Sequence, residues 1–413
     1  MGGNVFTTLS TPRMPPSVYF PIRDRCHAIL STYYSHVCTP LEAPEKTSFG
    51  DIDILVHGPL PNPPTPISEL GAALNAAASV LPRAENPEAN YAIPWPSSSE
   101  PTPTDPADPA SPEPHQDDQN RFIQLDLLTL PTPTTFHYQA FTHAHSGLFT
   151  LLGPSLRQSG LILTPTSLSL RIPSIELHRR RGSTIPLTSS PSAILDFLGL
   201  ERDAYWRRFE TVEGMFEYVA SSRLFTTRPR GDREGEEEEE GKVKHRNRRN
   251  SRRPLFLRWK EDFLPRVREE GRYDRAVPSR EEIREEAFMM WPPTRELYEE
   301  KARAFETERQ VEEVGKLIRE GVPEDVVALG LPLGTRGAAV RGLRRVVIEG
   351  DESYGVVLPE GARRDGGGWD LDAVEGFVRE RWVDVGRVGL ARGFGRMVEK
   401  GEARRVKEKE GGV

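Results

Sequence analysis

The chain has 413 residues, 62 acidic against 55 basic side chains, a formal net charge of −7 and a pI near 5.9. That balance excludes a wholly basic nucleic-acid coat protein, though not a local basic groove, and the length suits two or three domains. Mean hydropathy of −0.54, 37 prolines, 35 glycines and a 36% hydrophobic share imply a modest core interrupted by disordered inserts. The two cysteines, Cys26 and Cys38, allow one bridge at most and fit a reducing compartment. No apolar run reaches the length of a membrane span, and the first residues have neither a basic n-region nor an apolar h-region. A cytoplasmic or nuclear protein is the expectation.

Residues 1–16 read as loop. The segment 16–37 contains a helix, with Ile22, Cys26, Ile29, Leu30 and Tyr33 at helical spacing and Pro21 delaying its regular part. "SFGDIDILVHG" then switches to period two: Ile52, Ile54 and Val56 share one face, and Asp51, Asp53 and Leu55 the other. Residues 67–81 are Ala-rich and predict a helix with Ser68 as N-cap. The Pro/Ser/Asp-rich stretch 83–120 predicts a disordered insert. "RFIQLDLLTLP" predicts a second strand, with Phe122, Gln124, Asp126 and Leu128 opposite Ile123, Leu125 and Leu127. A helix at 145–160 and a strand at 167–177 follow. Ser190, Pro191 and Gly199 are the N-cap, N1 and terminator of a capped helix that opens a helical extension over 186–227. The acid run and basic run over 228–253 predict a disordered charged linker. Residues 254–400 predict a helical C-terminal region and 401–413 a disordered tail.

The carboxylates carry the chemistry. In a strand, residues i and i+2 point the same way, so Asp51 and Asp53 project together. Two charges side by side in apolar surroundings repel and raise a pKa unless a cation lies between them. Magnesium, or manganese in its place, meets that need with one or two carboxylates plus substrate phosphates. Asp126, on a second strand, supplies a third carboxylate, and three can hold two metals about 3.5–4 Å apart. That pattern points to phosphoryl or nucleotidyl transfer.

Gly2-Gly3, "GDID" at 50–53 and the lone Asp of "QLDLL" together resemble the DNA polymerase β-type nucleotidyltransferase superfamily. Its pattern is a glycine pair, a strand with Asp-x-Asp, and a third Asp on a neighbouring strand. "ILDFLGLERDAYWRRFET" further resembles helical segments of fungal and viral members. The resemblance covers about residues 1–225. It implies an α+β fold: a small mixed sheet with flanking helices in a catalytic domain over 1–185, followed by helices. It also implies an NTP substrate, Gly2 and Gly3 as the nucleotide loop, and Asp51, Asp53 and Asp126 as metal ligands and catalytic residues. The long gap from Gly3 to Asp51 and the insert between Asp53 and Asp126 depart from the family pattern.

Lys46, Ser48 and Gly50 precede the acid pair and could contact phosphate, against a plain turn reading. "HAHS" at 143–146 has no companion Cys/His set, so a structural role is favoured over zinc; His145 or Tyr138 lining a pocket is a second option. Arg171 reads as a strand-end arginine that could alternatively pair with Asp126 or a phosphate. The expected activity is Mg-dependent transfer of an NMP from an NTP to a hydroxyl on RNA, protein or a small molecule. The alternative is an inactive module of the same fold that binds RNA or protein.

Overall fold

The computed structural model describes residues 5–60, 67–81, 88–96, 120–228, 253–364 and 368–410. Gly2 and Gly3, residues 97–119 of the insert and nearly all of the 228–253 linker lie outside the described residues. The chain forms two compact units, 1–295 and 296–413. The first is mixed α+β and the second helical. No helix among the described residues is long and apolar enough to cross a membrane.

The first unit is built on a five-stranded mixed sheet. Its strands are β1 (Tyr34–Cys38), β2 (Ile52–Pro59), β3 (Ala78–Val80), β4 (Glu88–Pro94) and β5 (Phe122–Leu130), in the order β1-β2-β5-β4-β3. β2 and β5 run parallel and the other neighbours antiparallel. The period-two pattern decides the faces. Ile52, Ile54 and Val56 join Ile123, Leu125 and Leu127 and the β4 residues Ala89, Tyr91 and Ile93 in one core. Helices α1 (Pro16–Leu30) and α2 (Ile67–Ala73) cover that face through Tyr19, Ile22, Cys26, Leu30 and Leu70. On the opposite face Leu55 and Leu130 pack against Phe136 and Ala140 of α3 (Pro133–His143). Leu128 joins them at the edge of that cluster.

Several local readings of the first unit change in the structure. α1 runs through Pro21 from Pro16, because early placement and burial of its apolar face outweigh a break that costs about 3 kcal/mol in an exposed helix. The helix expected over 67–81 stops at Ala73; Asn75 takes a positive φ of 55° and the chain turns into β3. Alanine propensity yields there to pairing with β4. Residues 88–94, inside the stretch expected to be disordered, form a strand deep in the sheet. Their alternation is local, and the proline-rich surroundings dilute it in any composition window. The strand expected over 167–177 ends at Arg171 and continues as a short helix at Pro173–Glu176.

Beyond the main sheet, a three-stranded antiparallel sheet comprises β6 (Leu161–Leu163), β7 (Leu168–Arg171) and β8 (Thr184–Thr188). The helix Pro191–Leu198 is capped as the sequence predicts: Ser190 accepts from the Ala193 amide, Pro191 begins the first turn, and Gly199 terminates it at φ 67°. In the second unit, Val314, Ile318, Leu343, Trp369, Phe377, Val378 and Trp382 form a separate core. Its last helix, Leu371–Glu410, runs through most of the 401–413 tail expected to be disordered. Glu, Arg and Lys make up seven of the ten residues 401–410, and each is a strong helix former.

Candidate metal centre

Register places the carboxylates. Asp53 on β2 lies opposite Asp126 on β5, and Asn90 on β4 lies opposite Asp126 from the other side. Glu88 is two residues from Asn90 and Gln124 two from Asp126, so all five side chains share one face of three adjacent strands. Strands about 4.8 Å apart bring them together. Carboxylate oxygens of Asp53, Glu88 and Asp126 all lie within 4.8 Å of one another. This face is the one α3 covers further along, where its strand residues are leucines.

The three acids sit in different surroundings. Asp126 is buried and held by amides: Asn90 Nδ2 donates to Oδ1 at 2.7 Å, and Gln124 Nε2 donates to Oδ1 at 2.8 Å and to Oδ2 at 3.1 Å. The Val5 amide in turn donates to Gln124 Oε1 at 3.1 Å, fixing which way that amide points. Burial raises the Asp126 pKa and the charge of Asp51 adds to it, while the two amides pull it down. Glu88 is half-buried, and its pKa is raised by burial and then by Asp126 and Asp51. Asp53 keeps a solvent-accessible side, yet it stands in a recess of protein and like charge. Burial and then Asp51, Asp126, Glu88 and Glu42 push its pKa up to about 7. Among the described residues, no basic side chain forms an ion pair with Asp53 or Asp126.

Asp51 immediately precedes β2, which starts at Ile52. It lies outside the close triad, but its charge acts on all three members. Glu88 takes the third place. Composition hid it, because it opens the strand embedded in the Pro-rich stretch. Gln124 is legible in the alternation of "FIQLD", whereas Asn90 needs the β4–β5 register.

The loop entering β2 holds the candidate phosphate contacts. Lys46 Nζ lies 2.6 Å from Glu42 Oε2 and 4.7 Å from the Phe49 ring centroid. Glu42 also accepts from the Tyr19 hydroxyl at 2.5 Å and from Ser146 Oγ at 3.0 Å. Tyr19 stacks on Phe49 at 3.8 Å, which fixes the loop against α1. Ser48 is tied to Arg13, whose Nε reaches Oγ at 2.9 Å and whose Nη2 reaches the carbonyl at 2.6 Å. Gly50 directly precedes Asp51.

The remaining candidates are structural. His145 is fully buried, donates Nε2–H to the Tyr205 carbonyl at 2.7 Å and packs edge-on against the Tyr205 ring. Tyr138 is buried and donates to the Thr164 carbonyl at 2.7 Å. Arg171 pairs with Glu176 and not with Asp126. No family model and no curated protein matches the sequence.

Proposed function

We propose that the first unit is a divalent-cation-dependent phosphoryl-transfer enzyme of the nucleotidyltransferase type, moving an NMP from an NTP to a hydroxyl acceptor. The observation that carries this reading is the triad of Asp53, Glu88 and Asp126, with oxygens within 4.8 Å and the pKa of each raised. A site that repels its own charges is short of a cation. Its oxygen-only donors suit a hard ion, Mg2+ or Mn2+, which keeps water and substrate phosphates as its other ligands. Bound there, the ion would neutralise the carboxylates and the charge of a triphosphate.

In this reading Asp53 and Asp126 are the principal ligands and Glu88 the third. Asp126 is the best positioned of them, because two amides fix its plane before any ligand arrives. A carboxylate has about four lone-pair sites, so three accepted bonds leave room for a cation. Asp51 adds negative charge beside the triad. Lys46 must exchange Glu42 for phosphate to contact a nucleotide. Ser48 and Gly50 shape the loop beside it, and the family resemblance assigns the nucleotide loop to Gly2-Gly3, which lie outside the described residues.

One observation favours the second reading, an inactive module that binds RNA or protein: both Asp126 oxygens already accept hydrogen bonds, and Lys46 is already paired. The two are separated by nucleotide incorporation with each labelled NTP plus Mg2+ or Mn2+. Wild-type incorporation that is lost in Asp53→Asn and Asp126→Asn supports the enzyme. Activity equal in all three proteins would sink the metal-site assignment. Mg2+ binding without turnover favours the module.

A further inference from the structure

A second group of metal-ligating side chains lies at the far end of β2. His36 on the edge strand β1 and His57 on β2 are direct cross-strand partners. Their ring centroids are 5.6 Å apart, and the His137 ring on α3 lies 6.4 Å from that of His36. Three imidazoles from three elements therefore gather at one corner of the sheet, beside the edge of Phe136.

The hydrogen bonds set the state of two of these rings. His57 Nδ1 lies 2.8 Å from the Leu130 carbonyl, which can only accept. Nδ1 therefore carries the proton, and the Nε2 lone pair is free. Ser35 Oγ lies 3.0 Å from the Gly58 carbonyl and 2.9 Å from His36 Nδ1. With the hydroxyl proton shared between the Gly58 carbonyl and the His57 carbonyl at 3.3 Å, Oγ accepts from Nδ1–H in the His36 tautomer that presents Nε2 to a metal. Gly58 permits this arrangement: it has φ 68°, and a Cβ there would stand 2.2 Å from Ser35 Oγ. Imidazoles that ligate metals characteristically donate their other N–H to a carbonyl or similar acceptor, which fixes ring and tautomer.

We infer that His36, His57 and His137 form a site for a borderline transition ion of the Zn2+, Ni2+ or Cu2+ class, separate from the carboxylate centre. With metal–nitrogen bonds of about 2.0–2.1 Å in a tetrahedral site, ring centroids stand about 5 Å apart. The His36–His57 pair, at 5.6 Å, is close to that spacing, whereas His137, exposed and 6.4 Å from His36, stands too far off to share an ion as placed and has to turn toward the pair to become the third ligand. Imidazole donors select these ions over Mg2+, which the carboxylates prefer. A bound ion would clip the edge strand β1 to β2 and α3.

The test is calorimetric titration of the full chain with Zn2+ in saturating Mg2+, repeated with Co2+ to read the absorbance of a tetrahedral site. One equivalent of Zn2+ is expected. His36→Ala and His57→Ala should each weaken binding at least tenfold, and Ser35→Ala about tenfold by freeing the His36 ring. Asp53→Asn should leave Zn2+ affinity unchanged. In a parallel melt, Zn2+ should raise the transition of the wild type and not that of His36→Ala/His57→Ala. The proposal is overturned by the absence of saturable Zn2+ binding, by equal affinity in that double variant, or by loss of binding in Asp53→Asn.

Discussion

Replacing Asp53 by Asn tests the charge crowding at the carboxylate centre without any assumption about substrate. In the folded chain the Asp53 pKa stands at about 7, against an ordinary 3.8. A group whose folded pKa is raised binds more protons in the folded than in the unfolded state across the interval between the two values. Stability is therefore fully present below pH ~3.8 and is lost as pH rises through ~7. Without screening, that rise corresponds to about 4 kcal/mol at 1.36 kcal/mol per pKa unit. Asp53 has an open side, and screening there cuts the figure to about 1–2 kcal/mol. Asn cannot ionise, so its curve lacks this loss. Urea unfolding of the full chain in chelator should give matching stabilities at about pH 3.5, below the unfolded-state value. At pH 8 the variant should be more stable by about 1–2 kcal/mol. Added Mg2+ should stabilise the wild type at pH 8 and leave the variant nearly unchanged. Parallel pH profiles for the two proteins, with no response to Mg2+, would refute the crowding and with it the reason for placing a cation there.

Asn90→Ala removes a 2.7 Å charge-assisted bond to buried Asp126; a loss of about 1.5–3 kcal/mol in urea unfolding and weaker Mg2+ binding are expected. Arg275 reaches the carbonyls of Ala220, Ser221 and Ser222 at the end of the helix Val212–Ser221, and Nε reaches that of Phe225. Arg275→Ala orphans these acceptors and should cost about 3 kcal/mol, read as a lower melting transition of the first unit. Gly342→Ala would set a methyl 2.5 Å from Val385 Cγ1 and 2.8 Å from Tyr354 Cε1. That overpacking should cost about 1–3 kcal/mol in the second unit while leaving Mg2+ binding intact, which calorimetry of both transitions can follow.

The sequence by itself determined the features that are local in the chain. Alternation placed Ile52, Ile54 and Val56 on the core face and Asp53 and Asp126 on the opposite one, because side-chain direction in a strand has a fixed period. Capping chemistry at Ser190, Pro191 and Gly199 fixed a helix to the residue, since each end depends on one or two side chains. Tertiary structure decided what depends on pairing. β4 became a strand because β5 and β3 lie on either side of it, and with it came Glu88 and Asn90, which composition had placed in a disordered stretch. It also decided which carboxylates converge. Asp51 and Asp53 are neighbours in sequence, but the close triad takes Glu88 from β4, because register across three strands sets distance where sequence spacing sets only the face. The histidines show the same division. Twenty residues lie between His36 and His57 in the chain, and only the β1–β2 register makes them partners.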